Sequence, residues 1–166
     1  MIIGIVAVDK EFGIGKNNGL LFKLPLDMQR FKKITSNDGI VAMGYNTLLS
    51  LPGSKPLPNR VNIVLCPEGI DVPDCICLHT FEETVSCIWN LSKSGKNVYI
   101  MGGAMFYKSM LPYYDLVYVT KVNAIGEAEV FFPNLDKDPD FKLVETSEVV
   151  VDNDYETTYC TYERIK

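Results

Sequence analysis

Apolar residues recur along this chain in two rhythms. Residues 2–8, IIGIVAV, are apolar without alternation, and 40–43, 61–65 and 98–101 behave alike. Short runs of that kind, rich in β-branched residues, predict strands buried on both faces, as in a parallel sheet. Residues 75–78 and 115–122 add two more strands. Between these runs the apolar positions follow helical spacing and predict helices over 25–35, 45–50, 81–91 and 104–111. Pro25 lies in the first turn of the first helix, where its missing N–H is no loss. Thr80 is placed to cap the third. Beyond residue 140 the rhythm changes. Residues 141–151 and 155–165 alternate and carry many charges, the pattern of antiparallel strands, with VDND as their turn.

This order predicts an α/β fold: a mixed, mainly parallel eight-stranded sheet with helices on both faces and a C-terminal antiparallel hairpin. No linker, repeat or low-complexity run interrupts the chain, so residues 1–166 read as one domain. Residues 9–23, DKEFGIGKNNGLLFK, hold Gly13, Gly15 and Gly19 with two asparagines. They read as a long mobile loop, of the kind that serves as a lid.

Composition narrows the classes. At 47% hydrophobic and 22% charged, the 166 residues are those of an ordinary globular protein. A net charge of -5 argues against nucleic acid as a partner, since phosphate contacts need a positive field. The first apolar run is too short to span a bilayer and lacks a signal peptide's basic start. The expectation is a cytoplasmic protein with no membrane partner. Five cysteines without a C-x-x-C pair, and one histidine, predict reduced thiols and no metal site. No oligomerisation stripe stands out, so a monomer is expected.

Chemistry gathers at a few places. Two strand–Gly–helix junctions, IVAMGYNTLLSL and VYIMGGAMFYKSML, each let backbone approach a ligand and point a helix N-terminus at it. Either alone is a tight turn that any α/β protein needs. Together they can hold a dinucleotide pyrophosphate, although G-x-G-x-x-G is absent. In LPLDMQRFKKIT, Asp27 falls on the apolar face with Leu24, Met28, Phe31 and Ile34. A buried carboxylate needs partners or a raised pKa. Asp27 is thus either a helix-dipole carboxylate or a group that holds the amidine-like edge of a heterocycle. Arg60 after PLPN can clamp a carboxylate, or be an exposed strand-start cation. Thr120 in LVYVTKV needs a partner for its hydroxyl, or simply packs as a β-branched residue.

In chain order, IVAVDKEFGIGKNN, LPLDMQRFKKIT, MGYNT, LPNR, MGGAMFY, YVTKV and VFFP resemble dihydrofolate reductase over nearly the whole chain. The resemblance implies reduction of 7,8-dihydrofolate to tetrahydrofolate, with hydride passing from NADPH to pterin C6 and a proton to N5. The implied catalytic residues are Asp27, Thr120 and Phe22 of the lid, with Asp27 holding the pterin 2-amino group and N3. Ile5, Ala7, Met28, Phe31, Leu51, Leu57, Met101 and Tyr107 would line the substrate pocket. Arg60 would hold the glutamate α-carboxylate, assisted by Lys32 and Lys55.

For the cofactor, the resemblance implies Ala7, Ile14, Gly15, Asn18, Gly19 and Leu20 around the nicotinamide. Gly44, Tyr45, Asn46 and Thr47 belong to the first junction. Met101, Gly102, Gly103, Ala104, Met105, Phe106 and Tyr107 belong to the second. Leu65, Cys66 and His79 would border the adenosine end.

Three positions depart from the family. Leu21-Phe22 stands where Pro-Trp is usual, which removes an indole N–H that can hold a water for proton delivery. Tyr45, Asn46, Met105 and Cys66-Pro67-Glu68 stand where basic or hydroxyl residues usually meet the cofactor's 2′-phosphate. NADH is therefore possible beside NADPH, with reduced discrimination. Glu129-Val130-Phe131 replaces Asp-Thr in a loop that can brace the lid. Two other readings compete. One is the related riboflavin-pathway reductase domain, against which Asp27, Phe31 and Arg60 speak. The other is a non-catalytic nucleotide-binding module, which has no use for the pterin wall.

Overall fold

A computed structural model describes residues 1–17, 19–36 and 39–166. Strand β1 (Ile2–Val8) lies at the middle of the main sheet. Helix α1 (Pro25–Thr35) carries the chain from it to β4 (Ile40–Gly44), and α2 (Tyr45–Ser50) leads on to β5 (Val61–Leu65). After β6 (Ile76–Leu78), helix α3 (Phe81–Lys93) returns the chain to β7 (Val98–Ile100), between β1 and β4. Helix α4 (Ala104–Ser109) then crosses β1 to reach β8 (Leu116–Val122). All of these pairings are parallel. Right-handed crossovers that move in opposite directions across a sheet fall on opposite faces. So α1 and α2 cover one face, and α3 and α4 the other.

Alternate side chains sort accordingly. Ile3, Ile5, Val41, Met43, Val64 and Tyr99 join one core, with Phe31 and Leu48 from the helices. Ile2, Val6, Ala42, Ile63, Val98 and Ile100 join the other, with Ile88 and Phe106. Burial on both faces is why these strands read as continuous apolar runs. Thr80 caps α3 by accepting the Glu83 N–H at 3.1 Å.

The C-terminal part is antiparallel. β12 (Tyr155–Arg164) pairs with β8 on one side and with β10 (Phe141–Thr146) on the other. The sheet path runs β10-β12-β8-β1-β7-β4-β5-β6, the expected mixed eight strands. A short β11 (Val150–Asp152) branches from it, also paired with β12. Residues 141–151 are therefore two strands, not one. The break falls at Ser147, whose hydroxyl and amide both bond the backbone of Tyr159 and replace the ladder there. VDND is a turn with Asn153 and Asp154 at φ 49 and 68, as the tight turns of twisted hairpins require.

Residues 9–23 also differ from the expected loop. They contain β2 (Gly13–Lys16) and β3 (Gly19–Leu20), which form a small antiparallel sheet with β9 (Val130–Phe131). The glycines serve close packing there. A Cβ on Gly13 would lie 2.4 Å from Ala128 Cβ, and one on Gly15 would lie 2.9 Å from Val130. A pairing partner so distant in sequence leaves no local signal, so glycine content alone read as mobility.

Candidate active site

Helix α1 brings Asp27 to the edge of β8. Thr120 Oγ1 donates to Asp27 Oδ1 at 2.5 Å, and Thr120 is itself buried. Thr120 stands opposite Ala7 of β1 in register, and opposite Tyr159 of β12 on its other side. Burial raises the Asp27 pKa above the usual 3.8, the Thr120 hydrogen bond and the Arg30 charge oppose that, and the Asp152 carboxylate adds to it. The result is a half-buried carboxyl with one oxygen committed and a strengthened hold on its proton.

Two neighbours of Asp27 escape the sequence reading. Arg30, one turn along α1, sits over the Tyr159 ring at 4.3 Å from its centroid. Helical spacing from Asp27 was the available signal. Asp152 accepts the backbone N–H groups of Leu26 and Asp27 at 3.1 and 2.9 Å. No local pattern announces a contact across that span of chain.

The helix that carries Asp27 also carries Phe31 into an apolar cluster. Ile5, Phe31, Leu51, Leu57 and Met101 belong to this one cluster, with Ile5 the most buried of the five. The others keep part of their surface open, as pocket walls do. Met28 is 59% exposed, so the helix face that carries it borders open space and not a packed core. Tyr107 is buried in the opposite core and donates its hydroxyl to the Ile5 carbonyl at 2.7 Å. Burial pushes its phenol far above the ordinary range, so it stays a neutral donor.

Arg60 donates to Thr35 Oγ1 at 3.1 Å and to the Pro58 carbonyl at 2.9 Å. It lines a hollow of about 500 Å³ with Lys55 and Leu57. Lys32 and Lys55 are exposed.

The two glycine junctions meet because β4 and β7 are neighbours. Gly44 N–H donates to the Gly102 carbonyl at 2.9 Å. Thr47 Oγ1 would lie 3.2 Å from a Cβ on Gly102 and 3.4 Å from one on Gly103. Gly102 also has φ +135, which few side chains tolerate. Neither α2 nor α4 has a side-chain cap, so their first N–H groups stay available. This cradle fits an extended anionic linker: bare backbone, one hydroxyl and two open helix starts.

Around that cradle, Tyr45 and Ala104 are half-buried, and Asn46 and Met105 are exposed. Ile14, Leu65 and Phe106 turn their side chains into the opposite core. Cys66 is buried, and burial beside the Cys77 thiol pushes its pKa up to about 12, so it offers no charge. His79 is already occupied, by Asp71 at 3.3 Å and the Pro67 carbonyl at 3.0 Å. All five cysteines are free. Asn18 lies outside the described residues.

In the segment expected to be a lid, Gly15 is buried in β2, while Gly19 and Leu20 are exposed in β3. Phe22 packs against Tyr155 at 4.8 Å between centroids. Glu129 accepts the Asn17 N–H at 2.6 Å and gives its own N–H to the Gly15 carbonyl at 2.8 Å. Asp9 is buried and takes the N–H groups of Glu11, Gly13 and Gly126. Residues 9–17 are thus tied at both ends. Among the described residues, no helix is long and apolar enough to cross a membrane.

Comparisons with known proteins agree with this geometry. The profile of the family described as dihydrofolate reductase matches residues 1–164. The dihydrofolate reductase of Bacillus subtilis is 33% identical, covering 99% of this chain and 95% of its own. That of Staphylococcus haemolyticus is also 33% identical, covering 98% and 95%. Among solved structures, a dihydrofolate reductase from Enterococcus faecalis complexed with NADP(H) and RAB-propyl superimposes with a TM-score of 0.83. It is 31% identical and covers 100% of this chain and 97% of its own.

Proposed function

The chain belongs to the dihydrofolate reductase family and reduces dihydrofolate with NADPH, and we propose that it does so with Asp27 as the group that holds the pterin. The observation that carries this assignment is the hydrogen bond from Thr120 to Asp27, on the helix that also supplies Phe31 to the apolar cluster. Thr120 spends its one hydroxyl proton on Asp27 Oδ1 and keeps lone pairs that can accept from a substrate amino group. Among the described residues Asp27 Oδ2 has no such partner, so it can take ring N–H groups. A carboxylate and a hydroxyl side by side therefore match a 2-amino-pyrimidine edge, which offers donors in one plane.

NADPH supplies the hydride when bound. Gly44, Thr47, Gly102 and Gly103, with the starts of α2 and α4, are the residues we assign to its pyrophosphate. Ala7 lines the nicotinamide side, with backbone only from Ile14, whose side chain turns away. Ile5, Phe31, Leu51, Leu57 and Met101 exclude water from the ring system, and Arg60 pairs with the distal carboxylate.

Among the described residues, Asp27 is the one carboxyl we assign to the pterin, and this reading uses no two-residue acid–base relay. Asp27 polarises the pterin, and the proton for N5 comes through water. Phe22 keeps the apolar cover of the lid without the N–H that would hold that water. Residues 1–166 act as one domain, and the protein works as a monomer.

Turnover of dihydrofolate, followed through loss of the reduced-nicotinamide signal, tests the reading. No turnover with either NADPH or NADH would reject it. Asp27→Asn is expected to lower turnover at neutral pH by about tenfold or more, and an unchanged rate would refute the role of Asp27.

A further inference from the structure

The turn between β11 and β12 reaches back to the start of α1. Asp152, 1% exposed, accepts the Leu26 N–H through Oδ1 and the Asp27 N–H through Oδ2. Both amides lie in the first turn of α1, and the residue at its N-cap, Leu24, has no side-chain acceptor. The orphan donors of this helix are therefore satisfied by a carboxylate 125 residues away from Asp27 in the chain. Each oxygen of Asp152 is committed to one of two consecutive amides. Rotating or sliding that carboxylate would break a charge-assisted bond in a buried place. Asp27 is thus gripped at its amide by Asp152 while its carboxylate faces Thr120.

We propose that Asp152 is a positioning residue for the reaction assigned to this cleft: its two-handed hold on the Leu26 and Asp27 amides fixes the depth and direction of the Asp27 carboxylate. This rests on the reading of Asp27 as the pterin-holding group. Three groups act on that carboxylate from the elements packed around it: Arg30 on α1, Thr120 on β8 and Asp152 on β11. The Asp27 charge in turn reaches the phenols of Tyr159 on β12 and Tyr107 on α4, which stay neutral where a carboxyl titrates. Asp152 supplies the negative charge, and Arg30, held over the Tyr159 ring, the positive one.

Asp152 acts on Asp27 in two ways with the same sign. Its charge strengthens Asp27's hold on a proton. By engaging two N–H dipoles, it also masks the positive field of the helix start, which would otherwise favour the ionised form. Arg30 opposes both. Removing the Asp152 charge lets Asp27 ionise more readily, and removing Arg30 does the reverse.

Asp152→Asn and Asp152→Ser each keep an acceptor at the cap and remove the charge, so one serves if the other does not fold. The Asp27 midpoint is read by carboxyl ¹³C NMR in the ligand-free protein and from the pH profile of kcat/KM. Both midpoints are expected to move to lower pH by more than about half a unit, and kcat at neutral pH to fall by about tenfold. Arg30→Met is expected to move the midpoints to higher pH. A cap with a merely structural role would lower thermal stability and leave the midpoints and kcat at their wild-type values. That result would overturn the proposal. Wild-type protein without turnover would reject the functional reading instead, and the NMR midpoints would still decide the role of Asp152.

Discussion

Asp27 is held in the folded protein at a cost that its neighbours only partly offset. Burial outweighs the help from Thr120 and Arg30, so the folded state binds the Asp27 proton more tightly than the unfolded chain does. Stability therefore falls as pH rises from the usual 3.8 toward the raised folded midpoint, and the full penalty is present above it. Asp27→Asn removes the charge and keeps an oxygen for Thr120. In thermal unfolding the ligand-free variant is expected to be more stable than wild type at neutral pH, with the gap closing as pH falls below the carboxylate range. A variant equally or less stable at neutral pH would contradict this. Loss of turnover together with a gain of stability is the expected signature of a functional carboxylate. On sequence, Asp27 was visible as an exception on an apolar helix face. Arg30 and Asp152 are no such exceptions. One is an ordinary charge in a helix and the other an ordinary turn aspartate, until folding places both against the same carboxyl.

At the scale of elements, the segment expected to be a lid is part of a small sheet fastened to the loop that precedes β9. Glycines at 13 and 15 let β2 press against Ala128 and Val130, and the carboxylate of Asp9 knits both segments together. Gly13→Ala would drive a methyl group to within 2.4 Å of Ala128 Cβ and 2.9 Å of the Asp9 carboxylate. Both neighbours are held in place, so overpacking is expected to cost about 1–3 kcal/mol in urea unfolding. Turnover should fall with it if the segment that β2 leads into covers the pterin through Phe22, as proposed. A variant as stable as wild type would show that the lid yields freely, as the reading of a mobile loop supposes. The helices and buried strands, by contrast, were legible to within a residue or two at their ends. Their patterns are local, whereas β2 and β9 pair across more than a hundred residues and leave no periodicity behind.

At the scale of the whole molecule, an acidic chain must accept an anionic cofactor. The backbone cradle at Gly44, Gly102 and Gly103 answers that need for the pyrophosphate. The 2′-phosphate end is poorer: Met105 is 84% exposed, Cys66 is neutral and His79 is already paired. NADPH is expected to be preferred over NADH by less than about a thousandfold in kcat/KM, roughly 4 kcal/mol. Steady-state kinetics with both cofactors measures it, and a larger ratio would show that other groups meet the phosphate. The order of elements, the two-faced burial of the central strands and the antiparallel end were all determined by sequence, because burial pattern and chain order restrict a right-handed α/β sheet to few arrangements. The same is true of the family likeness and of the exceptional place of Asp27. Only the tertiary structure decided that the two glycine junctions lie side by side, that Phe22 rests on Tyr155, and that Asp152 holds the helix start beneath Asp27. Such contacts join residues far apart in the chain, and a linear pattern records which side a residue faces, not what it meets there.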